Sequence, residues 1–216
     1  MLDELRAMRK VLEALLITAK SGRVAPPTDD KVTLATVPTE FVMGKPDAPL
    51  TMVKFTDLQC PFCREFHVSA FERIKREYID TGRLRFISRD LPQTEIHPLA
   101  MAAARASRCA GEQGRYWEMR HAILLNNAKL SAPMFAAFAS DLRLDMMAFA
   151  ACTIATARID EHITRDRADG EAAGMDGTPG FVIGLTRPQG LEGVRISGAV
   201  PFETFDAALK AIEPKR

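Results

Sequence analysis

Apolar positions along the chain form short runs in the first half and a helical period in the second. Leu50, Met52, Val53 and Phe55 read as a strand, bounded by Ala48-Pro49. Thr56, Asp57 and Gln59 supply turn and cap chemistry, and Cys60-Pro61-Phe62-Cys63 opens a helix. That helix runs on through Phe66, Ala70, Phe71 and Ile74 towards Gly82. Leu84, Phe86 and Ile87 mark a second core strand, so strand, helix and strand suggest a parallel βαβ start. Residues 32–37 and 40–43 read as short strands before it. From residue 97 to about 174 the period is helical. Pro98 starts an Ala-rich helix through Cys109, residues 115–125 continue, and Ser131 and Asp145 are N-cap candidates. The charged stretch 160–169 reads as a solvated face. Phe181-Val182-Ile183 returns to a strand, and residues 187–193 form a turn into an antiparallel partner at 194–197. Pro201 begins a final helix carrying Phe202, Phe205, Leu209 and Ile212 on one face.

The first twenty residues stand apart. Leu2, Leu5, Met8, Leu12, Leu15 and Leu16 recur at helical spacing, and residues 21–31 are Pro/Gly/Asp-rich, so an amphipathic helix on a linker is expected. Residues 11–19 follow Arg9-Lys10 and have the length of a signal-peptide core, but Glu13 interrupts them. The apolar stripe of residues 1–20 is a candidate surface for homo-oligomerisation.

A formal net charge of +1 gives no electrostatic reason to expect nucleic acid, and one Trp and two Tyr leave little for base stacking. No apolar run approaches a membrane-spanning length.

The chemistry concentrates at Cys60 and Cys63. A cysteine at a helix start meets unpaired N–H groups and the positive end of the dipole, which favour a thiolate. Such thiols titrate at roughly 3.5–7.5 rather than ~8.5. Cys63, one turn on, is placed to attack a mixed disulfide on Cys60. Pro61 suits the first turn, where its missing donor costs nothing. The same CxxC is also half of a zinc site, with His67 as a third ligand, but no second knuckle follows. His67 otherwise reads as a helix residue able to tune the thiols, and neither His97, His121 nor His162 has convergent ligand partners. No metal and no cofactor is assigned. Methionines 119, 134, 146, 147 and 175 are either core or an adaptable peptide surface.

The segment VKFTDLQCPFCREFH resembles the active-site region of the DsbA-like thiol–disulfide oxidoreductases, and Gly177-Thr178-Pro179-Gly180-Phe181 resembles their cis-proline loop. The likeness covers about residues 40–214. It implies an α/β protein with a thioredoxin-like fold and an inserted all-α domain, extended here by the N-terminal helix. The expected division is helix and linker at 1–31, first thioredoxin part at 32–96, helical insert at 97–174 and second thioredoxin part at 175–216. Cys60 would be the exposed nucleophile and Cys63 the resolving thiol, with Pro61, Phe62, Thr178 and Pro179 shaping the substrate groove. Protein or peptide thiols are the implied substrates, with a redox partner to recharge the pair and an extracytoplasmic, periplasmic setting. Cys109 and Cys152 are either buried free thiols or a structural disulfide, as some relatives carry. Two departures matter. Lys54 stands where the family commonly has an acid, and either points inward, stabilising a thiolate, or snorkels to solvent. Asp57 either replaces that acid in part or serves as a turn residue. Gly180 replaces a larger residue, which suggests a looser loop. The closest alternatives are a disulfide isomerase or reductase, oligomeric through residues 1–20, and a non-catalytic peptide- or zinc-binding module.

Overall fold

The strand that organises the computed structural model is β3 (Leu50–Thr56), buried along its whole length. The structure describes residues 31–35, 37 and 40–214. The N-terminal helix expected at 1–20 and most of its linker lie outside the described residues.

Two further strands precede β3, namely β1 (Lys31–Leu34) and β2 (Val42–Met43). After β3 come α1 (Pro61–Val68) and α2 (Ala70–Ile74), then a single wide π-type turn over Lys75–Ile79, then β4 (Leu84–Asp90). Five helices follow: α3 (Ala100–Gly111), α4 (Tyr116–Asn126), α5 (Ala132–Asp141), α6 (Met146–Ile154) and α7 (Ala157–Ala172). The chain closes with β5 (Gly180–Leu185), β6 (Leu191–Ser197) and α8 (Phe202–Ile212).

The six strands form one mixed sheet in the order β1-β6-β5-β3-β4-β2. β3 pairs parallel with β4, Leu50 opposite Leu84 through Thr56 opposite Asp90, and antiparallel with β5 on its other side. Alternation along β3 divides its side chains between two cores. Leu50 and Met52 pack with Phe66, Phe181 and Phe205, whereas Val53 and Phe55 pack with Ile87, Val182 and Leu191. A third core fills the helical block, and both Cys60 and Cys63 belong to it.

Several local expectations change. The first helix does not run unbroken to Gly82: Ser69 departs from helical angles, and its hydroxyl donates to the Glu65 carbonyl at 2.6 Å. A serine that bonds back one turn competes with the helical ladder, which divides α1 from α2. Asp145 does cap α6, accepting from the N–H groups of Met147 and Ala148, while Ser131 makes no side-chain cap to α5. β6 starts at Leu191, so the turn before it is shorter than the one expected at 187–193. Gly180 is not a loosening: it is buried at the start of β5, and a Cβ there would run into the Met175 sulfur. The methionines also divide, Met119 and Met175 being buried while Met147 is 85% exposed.

The stretch 160–169 is not simply solvated. Asp166 is buried and receives Arg89 Nε at 2.7 Å, an Arg108 terminal nitrogen and the Asp90 backbone N–H. Asp169 takes a second Arg89 nitrogen. Asp90 in turn holds Arg108 Nε at 2.6 Å and Arg120 at 2.7 Å. Burial alone would raise the Asp90 pKa, but the two guanidinium groups outweigh it and hold the carboxyl below its usual range. This cluster ties β4 to α3, α4 and α7. Cys109 of α3 is bonded to Cys152 of α6, which fixes a second seam inside the helical block.

Candidate active site

The site lies where β3 ends and α1 begins. Asp57 sets that corner: its carboxylate accepts from the Gln59 N–H at 2.7 Å, the Gln93 N–H at 2.8 Å and His97 Nδ1 at 2.8 Å. Three donors hold a fully enclosed carboxylate, so Asp57 braces two loops. Cys60 is the N-cap of α1, and Pro61 occupies the first turn.

The two sulfurs are not bonded to each other, and they sit in unlike surroundings. Cys60 Sγ lies 3.3 Å from the Thr178 carbonyl oxygen. The Cys63 thiol donates to it, the Thr178 side chain and the N–H groups of Phe62 and Cys63 add to that, and together they bring Cys60 down to about 5 against the burial that opposes them. Cys63 is fully buried, and burial, with the bond it gives to Cys60, pushes its thiol well above the usual value. Cys60 itself is only 4% exposed, so the expectation of an exposed nucleophile is corrected. The helical block and the Thr178 loop both close over it, whereas Pro61 and Phe62 project, Phe62 at 60% exposure.

The Thr178–Pro179 peptide bond is cis, and the Thr178 backbone lies beside Cys60. The hydroxyls of Thr178 and Thr56 are both buried, each with one sulfur of the pair as its neighbour, Cys60 for Thr178 and Cys63 for Thr56.

Lys54 points inward. It is buried, its ammonium lies 4.8 Å from the centre of the Phe66 ring, and burial lowers its pKa to about 8 while Cys63 partly opposes that shift. His67 is paired with a second histidine, its Nε2 2.8 Å from His121 Nδ1. Burial, then the charges of Lys54, His121 and Arg120, depress its pKa to about 3, so it is a neutral imidazole. Among the described residues no three His, Cys, Asp or Glu side chains gather as a metal site, and His67 does not complete one with the CxxC.

Three neighbours were not visible in sequence reasoning. Asn127, just past α4, donates from its amide to the Cys60 carbonyl at 2.9 Å. His121 pairs with His67 and His97 with Asp57. No local signal marks these residues, because each partner is 40 or more positions away.

Residues 36–211 match the thioredoxin family model. The chain belongs to the thioredoxin family. Among solved structures, alpha-DsbA1 of Wolbachia pipientis superposes with a TM-score of 0.74 at 25% identity, covering 83% of this chain and 94% of that one. The thiol-disulfide exchange protein alpha-DsbA2 of the same organism aligns with a TM-score of 0.65 at 20% identity, over 80% of this chain and 87% of the other. Among curated proteins, the Na(+)/H(+) antiporter NhaA 3 of Salinispora tropica is 30% identical over 169 residues, or 78% of this chain and 25% of the antiporter. This thioredoxin-family chain therefore spans about a quarter of the length of the curated relatives it matches first. Among its described residues no helix is long and apolar enough to cross a membrane.

Proposed function

We propose that this DsbA-like chain is a thiol–disulfide oxidoreductase that passes the Cys60–Cys63 disulfide to protein or peptide thiols. The observation that carries the reading is the inequality of the two sulfurs: Cys60 titrates at about 5, and Cys63 is held protonated well above its usual range. A low-pKa thiol is a good leaving group, so a disulfide involving it is readily given up.

In the oxidising direction a substrate thiolate attacks Sγ of Cys60 in the Cys60–Cys63 disulfide. The S–S bond breaks towards Cys63, which leaves as a thiolate and takes up a proton, as its raised pKa demands. Lys54 provides positive charge on that side while the proton arrives. A second substrate thiolate then attacks the substrate sulfur of the mixed disulfide, and Cys60 departs as a thiolate. Two electrons have moved from the substrate dithiol to the pair. Thr178 and Pro179 border Cys60 as the edge along which an extended substrate would add as a strand, with Pro61 and Phe62 as the opposite lip. His67, a neutral imidazole paired with His121, sits outside this route.

A partner that re-oxidises Cys60 and Cys63 completes the cycle, and an oxidising, extracytoplasmic setting such as the periplasm fits both this direction and the bonded Cys109–Cys152 pair. The reduction potential of the pair tests the direction. A value near about −120 mV is expected for an oxidase, and one near −270 mV would make the chain a reductant instead. Oxidation of a reduced two-cysteine peptide should disappear in Cys60→Ser; activity retained in that variant would remove the pair from the chemistry.

A further inference from the structure

Behind the thiols, on the face of the sheet covered by α1 and α4, lies a cavity of about 490 Å³. Its walls are Phe66, Phe71, Phe86, Trp117, Met43 and Leu124. The rings are in mutual contact, with centroids 5.0 Å apart for Phe71 and Phe86 and 5.7 Å for Phe86 and Trp117. Lys54 enters from β3, between these walls.

The charges around the cavity do not balance. Arg120 also lines it, but its terminal nitrogens are taken by Asp90, Ser88 and Ser107. His67 and His121 are occupied with each other. At the rim, Glu118 bonds Arg115 and Lys75 bonds Asp80, while Glu72 is exposed. Lys54 is left. Among the described residues no carboxylate is paired with its ammonium, which lies against the Phe66 face with the Cys63 and Cys60 sulfurs as the groups that favour its charge. A buried cation in that condition is costly, and an anion brought into an aromatic cavity would relieve it.

We propose that this cavity is a binding site for a small aromatic monocarboxylate, its carboxylate on Lys54 and its ring among Phe71, Phe86 and Trp117. The size is within the range of small-molecule sites, about 300–1,000 Å³. Ring walls favour an aryl body, whose edges and faces complement theirs. Glu72 and Glu118 at the mouth disfavour a second negative charge at the outer end. Lys54 also faces Cys63, but occupancy is read without any redox reaction, so failure of this site and failure of the thiol chemistry are distinguishable.

Trp117 is the single tryptophan of the chain, so its emission reports the cavity alone. Titration of the full chain at neutral pH with 4-phenylbutyrate should give a saturable change at sub-millimolar concentration. 4-Phenylbutyramide, of the same shape without the charge, should bind about 10- to 100-fold more weakly, the range of one charge-assisted hydrogen bond. In Lys54→Met the acid and the amide should bind alike. Octanoate should bind more weakly than the aryl acid. The absence of a saturable change, or equal binding of acid and amide to the unaltered chain, overturns the site. Octanoate binding as tightly as phenylbutyrate overturns the aromatic assignment. The acid–amide comparison stands on the unaltered protein, so it decides the matter even if the variant fails to fold.

Discussion

Replacing Cys63 by alanine isolates the interaction that does most to ionise Cys60. The variant removes the donor that comes first among the causes of the depressed Cys60 pKa, and leaves Thr178 and the Phe62 N–H in place. Hydrogen bonds to charged groups contribute about 1.5–3 kcal/mol, and a thiol is a weak donor, so the low end applies. That energy corresponds to about one pKa unit. Cys60 should therefore move from about 5 to about 6. At pH 5 its ionised fraction would drop from about one half to about one tenth, and iodoacetamide should react about fivefold more slowly. At pH 8 both proteins are ionised, and the rates should converge. The assay is unambiguous because Cys60 is then the one free thiol, Cys109 and Cys152 being bonded. An unchanged midpoint would refute the reasoning and assign the whole effect to the helix start and Thr178. A midpoint near 9 in the unaltered protein would remove the premise.

The same depressed pKa makes the stability of the reduced form depend on pH. Its folded value lies below the unfolded thiol's 9.0, so the stabilisation is complete above pH 9 and is lost as pH falls through about 5. Relative to the disulfide form, the reduced protein should gain about 2 kcal/mol between pH 5 and pH 7, measured by urea unfolding of both forms; a flat difference would contradict it. Arg108→Met should cost about 3–5 kcal/mol in the same experiment, because it strands Asp90 and Asp166 with less compensation; a loss below about 1 kcal/mol would mean the ion cluster is well hydrated. Replacing Cys109 and Cys152 together by alanine opens a loop of 43 residues and should remove up to about 4 kcal/mol, with alkylation of the free Cys60 unchanged. A shift in Cys60 reactivity would show that the helical block and the thiols are more tightly linked than the structure implies.

Local patterns announced the parts of this molecule that depend on neighbours in sequence. The alternation of Leu50, Met52 and Phe55 placed β3, and the turn residues before Cys60 placed the helix start, because each is a property of a few consecutive positions. Lys54 lay at the edge of that reach. Its place in a strand buried on both faces was readable, but whether its ammonium met solvent depended on Phe66 and Arg120, which come from elsewhere. The stretch 160–169 failed for the same reason. Asp166 looks like any acid on a charged helix until Arg89 and Arg108, 77 and 58 residues away, are brought against it. The break at Ser69 is a local feature all the same: a serine hydroxyl bonding back to Glu65 is a short-range competitor to the helix, and the apolar period that runs on across it masks the break.

The Asp90–Arg108–Arg120–Asp166 cluster also limits how this protein can be cut down. A minimal version made by deleting the five inserted helices and joining β4 to β5 would keep Asp90 and Arg89 but discard Asp166, Asp169, Arg108 and Arg120. Any such miniature would have to exchange the buried Asp90 for an apolar residue, and it would lose Asn127 from the Cys60 carbonyl at the same stroke.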